Sequence, residues 1–127
     1  MSELPEDLKY AKTHEWAKLE DDNQVRVGIT DFAQAELGDL VYVDLPETGK
    51  TFQQGEQCAV VESVKTASDL HSPVTGTIVA VNEELADEPE LINEDAFNTW
   101  LFVVKADDTA ELNQLLDKDA YQQIIED

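Results

Sequence analysis

Through most of the chain apolar residues recur at every second position and are interrupted by turn residues after a few steps, a pattern that suits short, half-buried strands. Val25, Val27 and Ile29 share one strand face, as do Val41, Val43 and Leu45, while Ile78 and Ala80 stand on the face opposite Val79 and Val81. Turn signals fall at Asp22-Asn23, Gly38-Asp39, Pro46 to Gly49, Gln54-Gly55 and Pro73 to Gly76. Many short strands with close turns predict a mainly β fold, either a small barrel or a sandwich. The 127 residues, 42% of them hydrophobic, can fill one core of ordinary size but not two, so a single domain over 1–127 is expected.

Two segments depart from period two. Thr30-Asp31-Phe32-Ala33-Gln34-Ala35-Glu36-Leu37-Gly38 reads as a short internal helix, with Thr30 or Asp31 capping its exposed N–H groups and Gly38 ending it in a left-handed conformation. After Lys105, Asp108-Thr109-Ala110-Glu111 resembles an N-terminal cap, and Leu112, Leu115 and Leu116 follow at helical spacing. A helical carboxy-terminal segment over about 108–126 is expected, with Ala120, Tyr121, Ile124 and Ile125 as its apolar stripe.

Eight basic residues stand against 29 acidic ones, a formal net charge of −21. Phosphate backbones and anionic lipid surfaces are repelled by such a chain, which argues against nucleic-acid and membrane partners. The acidity serves solubility in the plainer reading and steering toward basic proteins in the sharper one, where association slows with added salt. No apolar run approaches the roughly 20 residues that cross a bilayer, and the segment Met1–Asp7 is acidic, without the basic region and apolar stretch of a leader. A cytoplasmic location is the expectation.

Cys58 is the only cysteine, so the chain forms no internal disulfide; within Cys58-Ala59-Val60-Val61 it is expected to pack as a small hydrophobe. His14 and His71 are far apart in sequence with no third ligand at a recognisable spacing, and no metal site is expected. The acidic run Glu83 to Asp95 lacks a regular calcium-loop pattern and reads as a solvated connection.

Val60 to Asp69 contains no Gly or Pro, yet its middle is polar between two strand-like runs, which predicts a tight hairpin with Val64-Lys65-Thr66 near the tip. Glu62 and Asp69 are the nearest acids in sequence. Downstream, Pro73 fixes one backbone angle and Gly76 permits a positive one, so the returning strand can bend sharply. A lysine on a turn is ordinarily just a solvated charge. Lys65 is set apart by the combination of an acid three positions before it, small residues after it, and a Pro-x-x-Gly bend that ends eleven positions downstream.

Glu62-Ser63-Val64-Lys65-Thr66-Ala67-Ser68-Asp69-Leu70 resembles the lipoylation motif of glycine cleavage H proteins. Further blocks agree in order: Thr13-His14-Glu15-Trp16, Gly28 to Gln34, Leu37-Gly38-Asp39, Leu45-Pro46, Ser72 to Gly76, and then Asn82, Leu85, Pro89, Leu91-Ile92-Asn93 and Trp100. Matching blocks along nearly the whole chain are more specific than any one motif. Two departures stand near the carboxy-terminal third, Ala96-Phe97 where the family usually has Pro-Tyr and Thr99-Trp100 where it has Gly-Trp.

The resemblance implies a barrel-sandwich hybrid of the lipoyl/biotinyl kind, and lipoate in amide linkage on Lys65. A lipoate ligase or octanoyl/lipoyl transferase would install it, with Glu62 as a recognition element. It further implies a monomeric, non-catalytic carrier that takes an aminomethyl group from a pyridoxal-phosphate glycine decarboxylase to a tetrahydrofolate-dependent aminomethyltransferase. Dihydrolipoyl dehydrogenase would then reoxidise it. Thr13, Glu15 and Asp69 match family positions lining a cleft into which the loaded arm folds.

Four other readings compete. An H-like scaffold for lipoate assembly or relay to other lipoyl domains keeps the same lysine. A biotin carrier has the same hairpin design, but its lysine usually lies between methionines, whereas Val64 and Thr66 flank Lys65. Lipoyl domains of 2-oxo acid dehydrogenases are shorter and sit in longer chains. An enzyme with its own active site is disfavoured because no nucleophile and base can be placed together.

Overall fold

The computed structural model describes residues 7–126; the acidic amino-terminal run before Asp7, read above as lacking leader features, and Asp127 lie outside the described residues. The strands are β1 (Lys9–Tyr10), β2 (Glu15–Leu19), β3 (Gln24–Ile29), β4 (Leu40–Asp44), β5 (Thr51–Phe52), β6 (Gln57–Ser63), β7 (Ala67–His71), β8 (Gly76–Val81) and β9 (Phe102–Ala106). Helix α1 (Asp31–Leu37) links β3 to β4, two single-turn helices α2 (Glu84–Asp87) and α3 (Leu91–Glu94) lie between β8 and β9, and α4 (Lys118–Glu126) closes the chain.

One sheet has six strands in the order β1-β2-β3-β9-β8-β5 and the other has three, β4-β6-β7. Every pairing is antiparallel. The fold is a barrel-sandwich hybrid, mostly β with a few helices, as the resemblance implied. Val25, Val27, Ile29, Ile78 and Val104 from the larger sheet and Val43, Val61 and Leu70 from the smaller one meet in a shared core. A second apolar cluster joins Leu8, Tyr10, Trp16 and Tyr121, with the Tyr10 and Tyr121 rings stacked at 4.8 Å.

Four expectations change. In β4 the register shifts between Leu40 and Tyr42, so Val41 is an extra residue that leaves the face of Val43 and turns to solvent. Gly76 does not use a positive φ. A Cβ there would lie 2.1 Å from the Lys105 carbonyl oxygen, so its role is to let β8 approach β9 closely. The bend before it is held instead by Glu111, whose carboxylate accepts from the Thr75 N–H at 2.6 Å and the Thr75 hydroxyl at 3.0 Å.

The carboxy-terminal segment is not one helical run. Asp108 caps Ala110 N at 2.9 Å as expected, but Thr109–Gln114 is a 3-10 turn. Leu116 then pairs with Tyr10 through two backbone hydrogen bonds of 2.7 and 2.8 Å, and an extended residue committed to a strand partner cannot continue a helix. In α4, Tyr121 is buried while Ile124 faces solvent.

Finally, the run Glu83 to Asp95 is more than a solvated connection. Its carboxylates are exposed, but Leu85 and Ile92 are fully buried in the core, one from each short helix. The loop holding Ala96, Phe97 and Thr99 is also packed: the Ala96 carbonyl accepts from Trp16 Nε1 at 3.1 Å, Phe97 meets Tyr10 edge-on, and the Thr99 hydroxyl donates to the Leu91 carbonyl.

Candidate functional site

Strands β6 and β7 form the hairpin around Lys65, paired from Gln57↔His71 to Glu62↔Ala67. Ser63 fastens its tip. Its backbone N–H donates to the Thr66 carbonyl at 2.7 Å, and its hydroxyl oxygen accepts from the N–H groups of Lys65 and Thr66 at 3.2 and 3.1 Å. A serine that bonds the turn it precedes is a local device that pre-sets the bend. The neighbouring loop adds a further tie, Val64 N–H to the Asp39 carbonyl at 3.0 Å. Val64, Lys65 and Thr66 are all exposed, and among the described residues Lys65 makes no ion pair.

The lysine side chain lies across Gly38. This residue has φ +85°, a backbone that side chains rarely adopt, and a Cβ there would press within 3.2 Å of Lys65 Cε. Asn93 of α3 holds this corner: its amide donates to the Gly38 carbonyl and to Gln34 Oε1, both at 2.9 Å, and its oxygen accepts from Leu40 N–H at 2.9 Å. Asn93 and Ser63 therefore shape the surroundings of Lys65, although neither stood out in the sequence as more than a member of a matching block. For Ser63 the signal was present, a serine at a strand end just before a predicted tip. For Asn93 the only signal was its place in the matching block Leu91-Ile92-Asn93, because its partners lie more than 50 positions away.

Beside the hairpin is a cleft of about 190 Å³ lined by Thr13, His14, Phe32, Ala33, Glu36, Leu37, Ser68 and Leu70 among others. Helix α1 forms one wall, and its N-cap is Thr30, whose hydroxyl oxygen accepts from Ala33 N–H. Tyr121 of α4 reaches this cap: its hydroxyl lies 2.7 Å from Thr30 Oγ1 and 2.7 Å from His14 Nδ1. The arrangement that uses both hydroxyl protons has Thr30 donating to Tyr121 and Tyr121 donating to His14. Burial pushes the Tyr121 hydroxyl up to about 12, so it keeps its proton.

Burial also holds His14 below the ordinary histidine range, against the upward pull of Glu36. The unfolded chain then takes up the His14 proton first as pH falls, so this residue's contribution to stability is lost from about pH 6.5 downward. The expected result is a gap in melting temperature between the wild type and His14→Asn that is widest near pH 8 and narrows toward pH 5, with asparagine chosen because it tolerates the φ of 77° at this position. A gap independent of pH would contradict the assignment.

Glu15 is fully buried at the start of β2. One carboxylate oxygen accepts from the Thr13 hydroxyl and the other from the His71 N–H at 2.9 Å, with His71 Nδ1 at 3.3 Å. Burial raises its pKa and these hydrogen bonds oppose the rise. Thr13 and Glu15 also line a larger, open cleft of about 530 Å³ with Lys12, His71 and Pro73.

The structure thus brings Thr13 and Glu15 together. Asp69, which alternates with the cleft residues Ser68 and Leu70, is exposed and accepts from Gln57 Nε2 at 3.2 Å. Glu62 is exposed on the strand leading into the tip, opposite Tyr42 and Ala67. Cys58 packs against the core, and burial pushes its thiol up to about 12. Among the described residues, no group of three or more His, Cys, Asp or Glu could hold a metal ion, and no helix is long and apolar enough to cross a membrane.

The model of the family described as glycine cleavage H-protein matches residues 8–127. A glycine cleavage system H protein of Xanthomonas euvesicatoria pv. vesicatoria is 59% identical over 128 residues, covering 100% of this chain and 98% of that protein. The H protein of Methylococcus capsulatus is 58% identical over 127 residues, covering 100% of both. A crystal structure of the H protein from Mycobacterium marinum superposes with a TM-score of 0.87 at 41% identity, over 94% of this chain and 97% of that one. With a displayed hairpin, the same fold and matches along the full length, the chain belongs to the glycine cleavage H-protein family.

Proposed function

We propose that this chain is a single lipoyl-carrier domain of the glycine cleavage system, with Lys65 as the attachment residue. It would serve glycine decarboxylase, the aminomethyltransferase and dihydrolipoyl dehydrogenase in turn, as a substrate of each. The observation that carries the reading is an exposed lysine, without an ion pair among the described residues, on a hairpin tip pinned by Ser63 and Asp39 and lying beside a cleft. A rigid tip lets a modifying enzyme select one lysine of seven by shape.

Lipoate fits this place, because Nζ is open to acylation and the neighbouring cleft has apolar walls from Phe32, Leu37 and Leu70. Once bound, it supplies a disulfide able to accept a carbon unit and electrons, chemistry that none of the chain's own side chains offers. The chain's residues position and shelter. Ser63 and Asn93 fix where the arm begins. The cleft between α1 and β7 shields cargo from water. Thr13 lines this cleft and donates its hydroxyl to the buried carboxylate of Glu15, which borders the larger neighbouring cleft and can bind a cationic cargo there.

Two measurements test this. The lipoylated chain should support exchange of glycine carboxyl carbon with bicarbonate by the decarboxylase, and no exchange would overturn the function. Glu15→Gln should shorten the lifetime of the aminomethyl-loaded carrier about tenfold, the size expected for a lost charge-assisted hydrogen bond. An unchanged lifetime would remove Glu15 from cargo binding.

A further inference from the structure

The outer face of the three-stranded sheet is uncovered and leads straight to Lys65. Directly opposite residues of antiparallel neighbours share a face, so Tyr42, Glu62 and Ala67 form one outward row across β4, β6 and β7, and Asp44, Val60 and Asp69 form the next. The inward row between them, Val43, Val61 and Ser68, points to the core side. The bulge adds to the outward face, because it turns Val41 to solvent beside Tyr42 where regular alternation would bury one of the two. Val41 is 55% exposed, Tyr42 50%, and Val64 at the adjoining tip 68%.

Three large apolar side chains exposed on one face are unusual on a chain of such acidity; Glu62 stands opposite Tyr42 in the same row, Asp44 and Asp69 are in the next row, and Asp39 adjoins Val64 at the tip. Exposed apolar side chains bordered by charge are the anatomy of a protein docking site. The charge selects a partner with an apolar seat bordered by Lys or Arg, and the place selects its activity. An enzyme that acylates Nζ must close over the atoms nearest the tip, and those on the outer side are Val64, Glu62, Tyr42 and Val41. Enzymes that act later need only reach the far end of a long arm.

We propose that this face, centred on Val41, Tyr42 and Val64, docks the lysine acyltransferase that loads Lys65, a protein with a basic-rimmed apolar seat. The inference rests on Lys65 being the attachment residue. In the step served, the ammonium loses a proton, the amine forms an amide bond to the carbonyl carbon of an acyl phosphate anhydride, the acyl C–O bond breaks, and nucleoside monophosphate leaves as a second proton is released from nitrogen. The face contributes no group to this chemistry, so it acts through KM.

The test uses the full chain made without cofactor, a lipoate ligase, octanoate and ATP, read by intact mass. Val41→Ser with Tyr42→Ser should raise KM about tenfold with kcat nearly unchanged, the size of effect expected from truncating an interface hot spot. Leu19→Ser with Val79→Ser, which truncates two exposed apolar residues of the other sheet, should leave both constants alone. Added salt should raise the wild-type KM.

Equal KM for the Val41/Tyr42 variant and the wild type would overturn the docking proposal alone, as would a KM indifferent to salt. Normal loading of that variant together with impaired glycine–bicarbonate exchange would overturn the choice of partner. Failure of the wild type to gain mass would overturn the reading of Lys65, and this inference with it. Equal melting temperatures of variant and wild type identify the KM change as a docking effect, whereas a KM rise matched by a lower melting temperature would overturn it.

Discussion

Lys65→Arg is expected to reduce glycine–bicarbonate exchange by the decarboxylase to the level seen without the chain, a loss of at least about 100-fold. Arginine keeps the charge and nearly the length of lysine, but its guanidinium holds its proton too tightly to act as an acyl acceptor. The cofactor would therefore not be attached, and carrier chemistry tethered to a docked partner would be lost. The fold should be unaffected, because Lys65 is exposed and makes no ion pair among the described residues. Its melting temperature should match the wild type, as surface substitutions of this kind stay within about 0.5 kcal/mol. Loss of exchange without a change in stability separates a handle from a structural residue; residual exchange well above background would mean that another site carries the group.

The second large effect falls on stability. Gly76→Ala would place a methyl group 2.1 Å from the Lys105 carbonyl oxygen and 2.8 Å from Val104 Cγ1. That oxygen belongs to β9, which is paired on both sides, with β3 and β8, so it cannot retreat without opening a ladder. A destabilisation of about 3 kcal/mol or more is expected, lowering the melting temperature by roughly 10 °C. Gly49→Ala is the contrast: φ is +92° but nothing lies within 4 Å of the added carbon, so only backbone strain of about 1 kcal/mol applies. Equal melting shifts for the two would show that close approach at Gly76 is not what requires glycine.

The period of two made the β fold legible, since Val25, Val27 and Ile29 are all buried as their spacing suggested. The α1 cap and stop were legible too, because Thr30 and Gly38 act within a few residues of themselves. Bulges were not: Val41 has the same character as its neighbours, and only the pairing of Leu40 with Ser63 and Tyr42 with Glu62 shows it to be the extra residue. Leu112, Leu115 and Leu116 had helical spacing, yet a distant partner, Tyr10, drew Leu116 into extended pairing. The same division holds at the site. The hairpin tip at Lys65 was readable from a contiguous stretch, whereas the Asn93 staple and the Tyr121–His14 bond join residues that sequence order keeps far apart.

The central claim, that Lys65 is the lipoyl handle, is tested most directly by a peptide map over Val60 to Leu70 on protein made in a lipoate-competent host. A lipoyl adduct is expected on Lys65 and on none of the other six lysines. An unmodified Lys65, or an adduct on a different lysine, would contradict it.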